Sequence, residues 1–370
     1  MPEVRALKSA PEIRTSRIPS LRPADSRIEI PRALAWGSVF VPPELRGHFL
    51  EVNAEGKSVA LPSFNRFMNL LDLARTQRLE AVTVYLEVQP KAAVDFTLSN
   101  FGILTINVAE LTPDQMRQVI TKTKECGIHL DLHAPWLSGP EGRGSAQEVK
   151  DRFSYPDPRN NPEIFRNIPE FSRIYNEING HKLELTIHTT GRPEDWAPWI
   201  SEAGQYCRIH VENGFKYIAS EAAYPADGFA YFNASRPYKL FEYMGWIQGL
   251  IRAVNNPNVE IDALVDIAHA AAAENDPLAY IRFMDLAIRN NIEIKRVHVA
   301  SVNLEGKSLS ERDNHGPAPE FSRTAALNQA QELGRYKELA HLIQWVFTYI
   351  EMQQEKGDFG ITVESKNYFG

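Results

Sequence analysis

Nine residues of the kinds that bind metal ions recur between positions 133 and 364, each inside a short motif. His133 stands in DLHAPW, His188 in LTIHTTG and Glu212 in HVENG. Asp266 and His269 share VDIAHA, His298 stands in RVHVAS, Asp313 and His315 share RDNHGP, and Glu364 stands in TVESK. Five of the ten histidines belong to this set. A carboxylate that closes an apolar run is costly to bury unless a cation or a hydrogen-bond donor faces it. Three such carboxylates, with Asp313 in a loop and five imidazoles interspersed, therefore point to metal chemistry. The two cysteines, Cys126 and Cys207, lie outside these motifs, and imidazole with carboxylate suits zinc, with manganese, magnesium or iron as the other choices. Clustered ions of this kind polarise carbonyl or phosphoryl oxygens and generate hydroxide near neutral pH.

A series of strands must position these residues. Apolar and β-branched runs at 34–41, 81–88, 128–133, 183–188, 207–212, 261–266, 294–298 and 360–364 read as eight strands. Amphipathic helices lie between them. Phe64, Phe67, Met68 and Leu71 share one helical face, and Leu339, Leu342, Ile343, Val346 and Ile350 share another. Thr112 and Pro113 open a helix that ends before Gly127. Strands alternating with helices make a parallel α/β sheet, and eight of them predict a (β/α)8 TIM barrel. The rival, a doubly wound open sheet, carries a Gly-rich phosphate turn after its first strand, and this sequence has none. In a barrel the strand-closing residues His133, His188, Glu212, Asp266, His298 and Glu364 converge on one mouth. His129, Asp131 and His210 share their parity and would also point inward, either orienting ligands or as satisfied interior polar residues. Residues 1–30, rich in Pro, Ser and Arg, read as an irregular arm, and 31–370 as the metal-binding barrel. The Gly- and Pro-rich stretch 138–161 reads as a surface insertion.

Composition narrows the function classes. Forty Lys and Arg against 47 Asp and Glu give a net charge of −7, which offers no global footprint for nucleic acid or an anionic membrane. Two cysteines exclude a disulfide framework. No run approaches the length of a membrane span, and the first 30 residues have no apolar signal core, so no membrane association is expected and the cytoplasm is the expected compartment. The fragments Gly56-Lys57-Ser58 and Gly306-Lys307-Ser308 lack the upstream glycine of a phosphate loop.

The ordered series HAPW, IHTTG, VENG, DIAH, VHV, DNH and VES resembles the type IV AP endonucleases of the xylose-isomerase-like barrel superfamily, over roughly residues 34–366. The resemblance implies three zinc ions. His133, His188 and Glu212 would hold the first. Glu212, as a bridge, would hold the second with Asp266, His298 and Glu364. His269, Asp313 and His315 would hold the third. It further implies phosphoester hydrolysis by a metal-bound hydroxide, on abasic DNA or a small phosphorylated metabolite, with Glu212, Glu364 and Asp266 at the reacting centre. The sequence departs from that family after His298, where Ala300-Ser301 replaces its Asn-Asp, and after Glu212. Trp136, next to the HAP motif, occupies a place where both these endonucleases and sugar epimerases carry an aromatic. Single-metal sugar epimerases and isomerases of the superfamily use the equivalents of Glu212, Asp266, His298 and Glu364. The alternative implied is thus a sugar or cyclitol isomerase or epimerase with Glu212 and Glu364 moving protons. A redox enzyme with iron in the same cluster is a third reading.

Overall fold

Seven of the eight runs read as strands are parallel strands in the computed structural model, which describes residues 47–56, 58–76, 81–86, 105–134, 157–159, 162–189, 191–213, 240–305, 319–357 and 359–363. An antiparallel hairpin comes first, β1 (Leu50–Val52) and β2 (Ser58–Ala60). The main sheet follows: β3 (Ala81–Leu86), β4 (Thr105–Ile106), β5 (His129–His133), β6 (Leu183–His188), β7 (Cys207–Glu212), β8 (Ile261–Asp266), β9 (Ile294–Val299) and β10 (Gly360–Val363). Its order is β10-β9-β8-β7-β6-β5-β3-β4, and every pair is parallel. The two-residue β4, beside the carboxyl end of β3, was not expected from sequence, because so short a run has no periodicity to read. The expected strand 34–41, the arm 1–30 and all but 157–159 of the inner part of the 138–161 insertion lie outside the described residues.

From β5 to β10 the strand order follows the chain, without the reversal that defines a doubly wound sheet. The sheet also curls. Four strand spacings separate β5 from β9, about 19 Å in a flat sheet at roughly 4.8 Å each. Yet Arg296 on β9 reaches Asp131 on β5 at 3.3 Å, and the His133 and His298 rings stand 5.5 Å apart. These contacts cross the interior of a (β/α) barrel. Among the described residues no ladder joins β10 to β4.

Among the described residues ten α-helices clothe the outside: α1 (Ser63–Thr76), α2 (Pro113–Cys126), α3 (Pro162–Phe165), α4 (Ile168–Asn179), α5 (Pro193–Ala203), α6 (Leu240–Val254), α7 (Ile267–Glu274), α8 (Ala279–Arg289), α9 (Arg323–Glu332) and α10 (Tyr336–Glu355). The α2 helix forms where its sequence directs. Thr112 and Gln115 make a reciprocal capping box, Pro113 occupies the first turn, and Gly127, at φ 65°, closes the far end in the left-handed region. On α10, Leu339, Ile343, Val346 and Ile350 are buried, and Leu342 lies at the margin of that face.

Strand parity divides the core. Outward residues such as Leu130, Leu132, Leu185, Ile187, Ile209, Val211, Val265 and Val297 pack under the helices. Inward residues are largely polar. Beneath the strand ends, Arg296 meets Asp131 and Glu184, and His210 is hydrogen-bonded to Asp262 and Glu184. Gly360 makes room for this layer: a Cβ there would stand 2.5 Å from Arg296 Nη1. Among the described residues no helix is long and apolar enough to cross a membrane.

Candidate metal centre

Six of the nine sequence-predicted residues meet at the carboxyl ends of neighbouring strands. His133 closes β5, His188 closes β6, Glu212 closes β7 and Asp266 closes β8; His269 lies in the first turn of α7 and His298 on β9. All six are between 0% and 5% exposed. Local hydrogen bonds hold the strand ends. The Ala134 amide donates to the Thr186 carbonyl at 2.8 Å, which keeps the chain against β6 just past His133. Asp266 Oδ1 accepts from the His269 amide at 2.7 Å and thereby caps α7.

Glu212 is the shared member. Its Oε2 lies 3.0 Å from His133 Nε2 and 3.0 Å from His188 Nε2. Its Oε1 lies 3.2 Å from His269 Nδ1 and 3.4 Å from His298 Nδ1. Asp266 Oδ2 stands 3.8 Å from His269 Nδ1 and 3.9 Å from His298 Nδ1. Two overlapping trios result, His133–His188–Glu212 and Glu212–Asp266–His269, each with ligand atoms within 4.8 Å of one another. His269, grouped by the resemblance with Asp313 and His315, here stands against Glu212 and Asp266. Asp313, His315 and Glu364 lie outside the described residues, as does Trp136.

The donor chemistry fits a metal ion. His133 Nδ1 donates to the Ala134 carbonyl at 2.7 Å, which leaves Nε2 as the nitrogen facing Glu212 Oε2. That oxygen is buried and makes no hydrogen bond. Lone pairs at this separation repel unless a cation lies among them. Ligands roughly 2.0–2.2 Å from one ion stand about 3.0–3.5 Å from each other at its usual angles, the range of the His133, His188 and His298 contacts to Glu212. Protonation states agree. Burial drives the His188 imidazole down to about 4, against the pull of Glu212, so it is neutral at physiological pH. Burial pushes the Glu212 carboxyl up, but the proton-bearing forms of His188 and His133 outweigh it and hold the group well below the usual carboxylate range. A neutral imidazole and an ionised carboxylate are what ligation requires.

Two residues passed over in sequence brace the cluster from behind. The Tyr243 hydroxyl sits between the carbonyls of Val211 and Leu264, at 2.6 and 2.9 Å. Asn213 is bonded to the backbone of Asp266 and to His269. Its one sequence signal is a polar residue straight after a strand-end ligand, too common to read alone. One layer down, His129, Asp131 and His210 satisfy the interior. His129 pairs with Asp131 at 2.9 Å, and burial lowers His210 less than Asp262 and Glu184 raise it, to about 9.

Comparison of the sequence with protein-family models and with curated proteins finds no match. Among solved structures, the chain is similar to D-psicose 3-epimerase from Clostridium cellulolyticum H10, at 10% identity over 81% of this chain and 80% of that one, with a TM-score of 0.37. It is similar to a xylose isomerase domain protein from Planctomyces limnophilus at 12% identity, over 77% of this chain and 93% of that one, with a TM-score of 0.39. A D-tagatose 3-epimerase-like protein matches at 15% identity over 75% and 91% of the two chains, with a TM-score of 0.32. Scores this low carry neither family nor activity. The fold assignment rests on the chain's own strand order and curl.

Proposed function

We propose that this chain is a metal-dependent isomerase or epimerase of a small sugar-like or cyclitol substrate. The observation that carries the proposal is Glu212, buried and ionised, with one oxygen turned to His133 and His188 and the other to His269 and His298, and with Asp266 in the same group. A divalent ion held there supplies Lewis-acid polarisation of a substrate oxygen. Adjacent hydroxyl and carbonyl oxygens match a centre with two such faces. Glu212, shared between the two trios, would hold metal with Asp266 and the four histidines, the Nδ1 bond of His133 fixing Nε2 as the nitrogen it offers. Glu212 and Glu364 would carry protons to and from carbon beside the polarised oxygen.

A second reading, phosphoester hydrolysis, is favoured by the same sharing of Glu212, because two ions bridged by a carboxylate also clamp an in-line displacement at phosphorus. Zinc would be the first metal to try there, and abasic DNA or a phosphorylated metabolite the substrate. One experiment separates the two. The metal-reconstituted protein is incubated in heavy water with a panel of ketoses, inososes and phosphate esters, and the products are followed by proton and phosphorus NMR. Solvent deuterium entering a carbon next to a carbonyl is the result expected. Release of phosphate without carbon-bound deuterium overturns the isomerase reading in favour of hydrolysis.

A further inference from the structure

We propose that Asn213 is a positioning residue that sets Asp266 and His269 in the geometry a metal ion requires; the inference rests on the metal-centre reading above. Asn213 is 0% exposed and follows Glu212 at the mouth of the barrel. The backbone ladder between β7 and β8 ends at the pairing of Glu212 with Leu264. Past that point the Asn213 side chain replaces it. The Asp266 amide donates to Asn213 Oδ1 at 2.7 Å, and Asn213 Nδ2 donates to the Asp266 carbonyl at 3.0 Å. A side-chain amide presents one acceptor and two donors, so it can pair with a peptide group from both sides as a neighbouring strand would.

The main chain of Asn213 acts on the other ligand. Its carbonyl accepts from His269 Nδ1 at 3.0 Å, which fixes the ring beside Glu212 and Asp266. Asp266 then spends Oδ1 on the His269 amide, so that Oδ2 is the oxygen turned to the cluster. Asn213, Asp266 and His269 thus form one hydrogen-bonded ring in which the orientation of both ligands depends on Asn213. The His133–His188 side of Glu212 has no such dependence among the described contacts.

The asymmetry is the test. Wild type, Asn213→Leu and Asn213→Asp are stripped of metal and titrated calorimetrically with zinc and with manganese, and the melting temperature of each metal-free form is recorded. Two classes of metal site are expected in the wild type. In Asn213→Leu one class keeps its affinity while the other weakens ten- to a hundredfold, the usual effect of losing a partner that orients a ligand. Asn213→Asp, which retains the acceptor for the Asp266 amide, falls between them and serves if the leucine variant does not fold. Both classes unchanged in the variants, with only the metal-free melting temperature lowered, overturns the positioning role. A wild type that binds neither metal overturns the metal-centre reading itself.

Discussion

At Glu212 burial and the surrounding imidazoles pull one carboxyl in opposite directions, and the imidazoles win. Because both trios share this residue, Glu212→Gln should cost both metal classes at once. In the wild type, zinc at about a hundred times its dissociation constant should stabilise the fold by about 2.7 kcal/mol; in the variant that increment should vanish from urea titrations, while the metal-free stability stays level or rises. His188 adds a pH dependence whose sign is set by its lowered value. The folded protein resists protonating a group that the unfolded chain protonates at about 6.5, so stability is intact above that pH and is lost as pH falls towards about 4. Urea midpoints of the metal-free protein should therefore drop between pH 7 and pH 5, and drop less in His188→Gln.

Elements bring these residues together by close approach as much as by hydrogen bonding. Gly360 begins β10 against Arg296 of β9, and the guanidinium there is already committed to Asp131 and Glu184 across the interior. A methyl group at 360 would meet three atoms of that side chain at 2.5–2.9 Å. Gly360→Ala should lower the unfolding free energy by about 1–3 kcal/mol, the range for overpacking a filled interior. A drop of a few tenths would mean that Arg296 yields freely and that the crossing is loosely held. The α2 capping box is the local counterpart. Thr112→Ala should cost about 1 kcal/mol in the same measurement and leave metal binding unaltered.

At the scale of the whole molecule, the charged layer below the metal centre replaces the branched aliphatic filling that most such barrels carry. His210, raised to about 9 by Asp262 and Glu184 against the lowering effect of burial, is the cation whose titration would expose this layer. Its contribution to stability is fully present below about 6.5 and is lost as pH rises through about 9, because the folded state holds a proton the unfolded chain has released. Midpoints should fall from pH 7 to pH 10, and His210→Gln should flatten that slope while lowering stability at pH 7. Arg296→Met, which strands Asp131 and Glu184 without their buried partner, should cost about 3–5 kcal/mol.

Sequence alone determined the caps of α2 and seven strands, and it singled out nine residues of types that bind metal, since alternation, capping and strand-end position are local properties. His133, His188, Glu212, Asp266 and His298 could be placed at one mouth because a parallel (β/α) order converges its carboxyl ends there. What local pattern could not decide was which oxygen of Glu212 faces which imidazole, that His269 stands against Glu212, or that His129, Asp131 and His210 are satisfied within the interior, His129 with Asp131 and His210 with Asp262 and Glu184. Those outcomes depend on curl and register, which bring residues from strands four apart to within a few ångströms. Asn213 was illegible for the same reason: its partners, Asp266 and His269, are more than fifty residues away, and only the tertiary structure lays the end of β7 beside the start of α7.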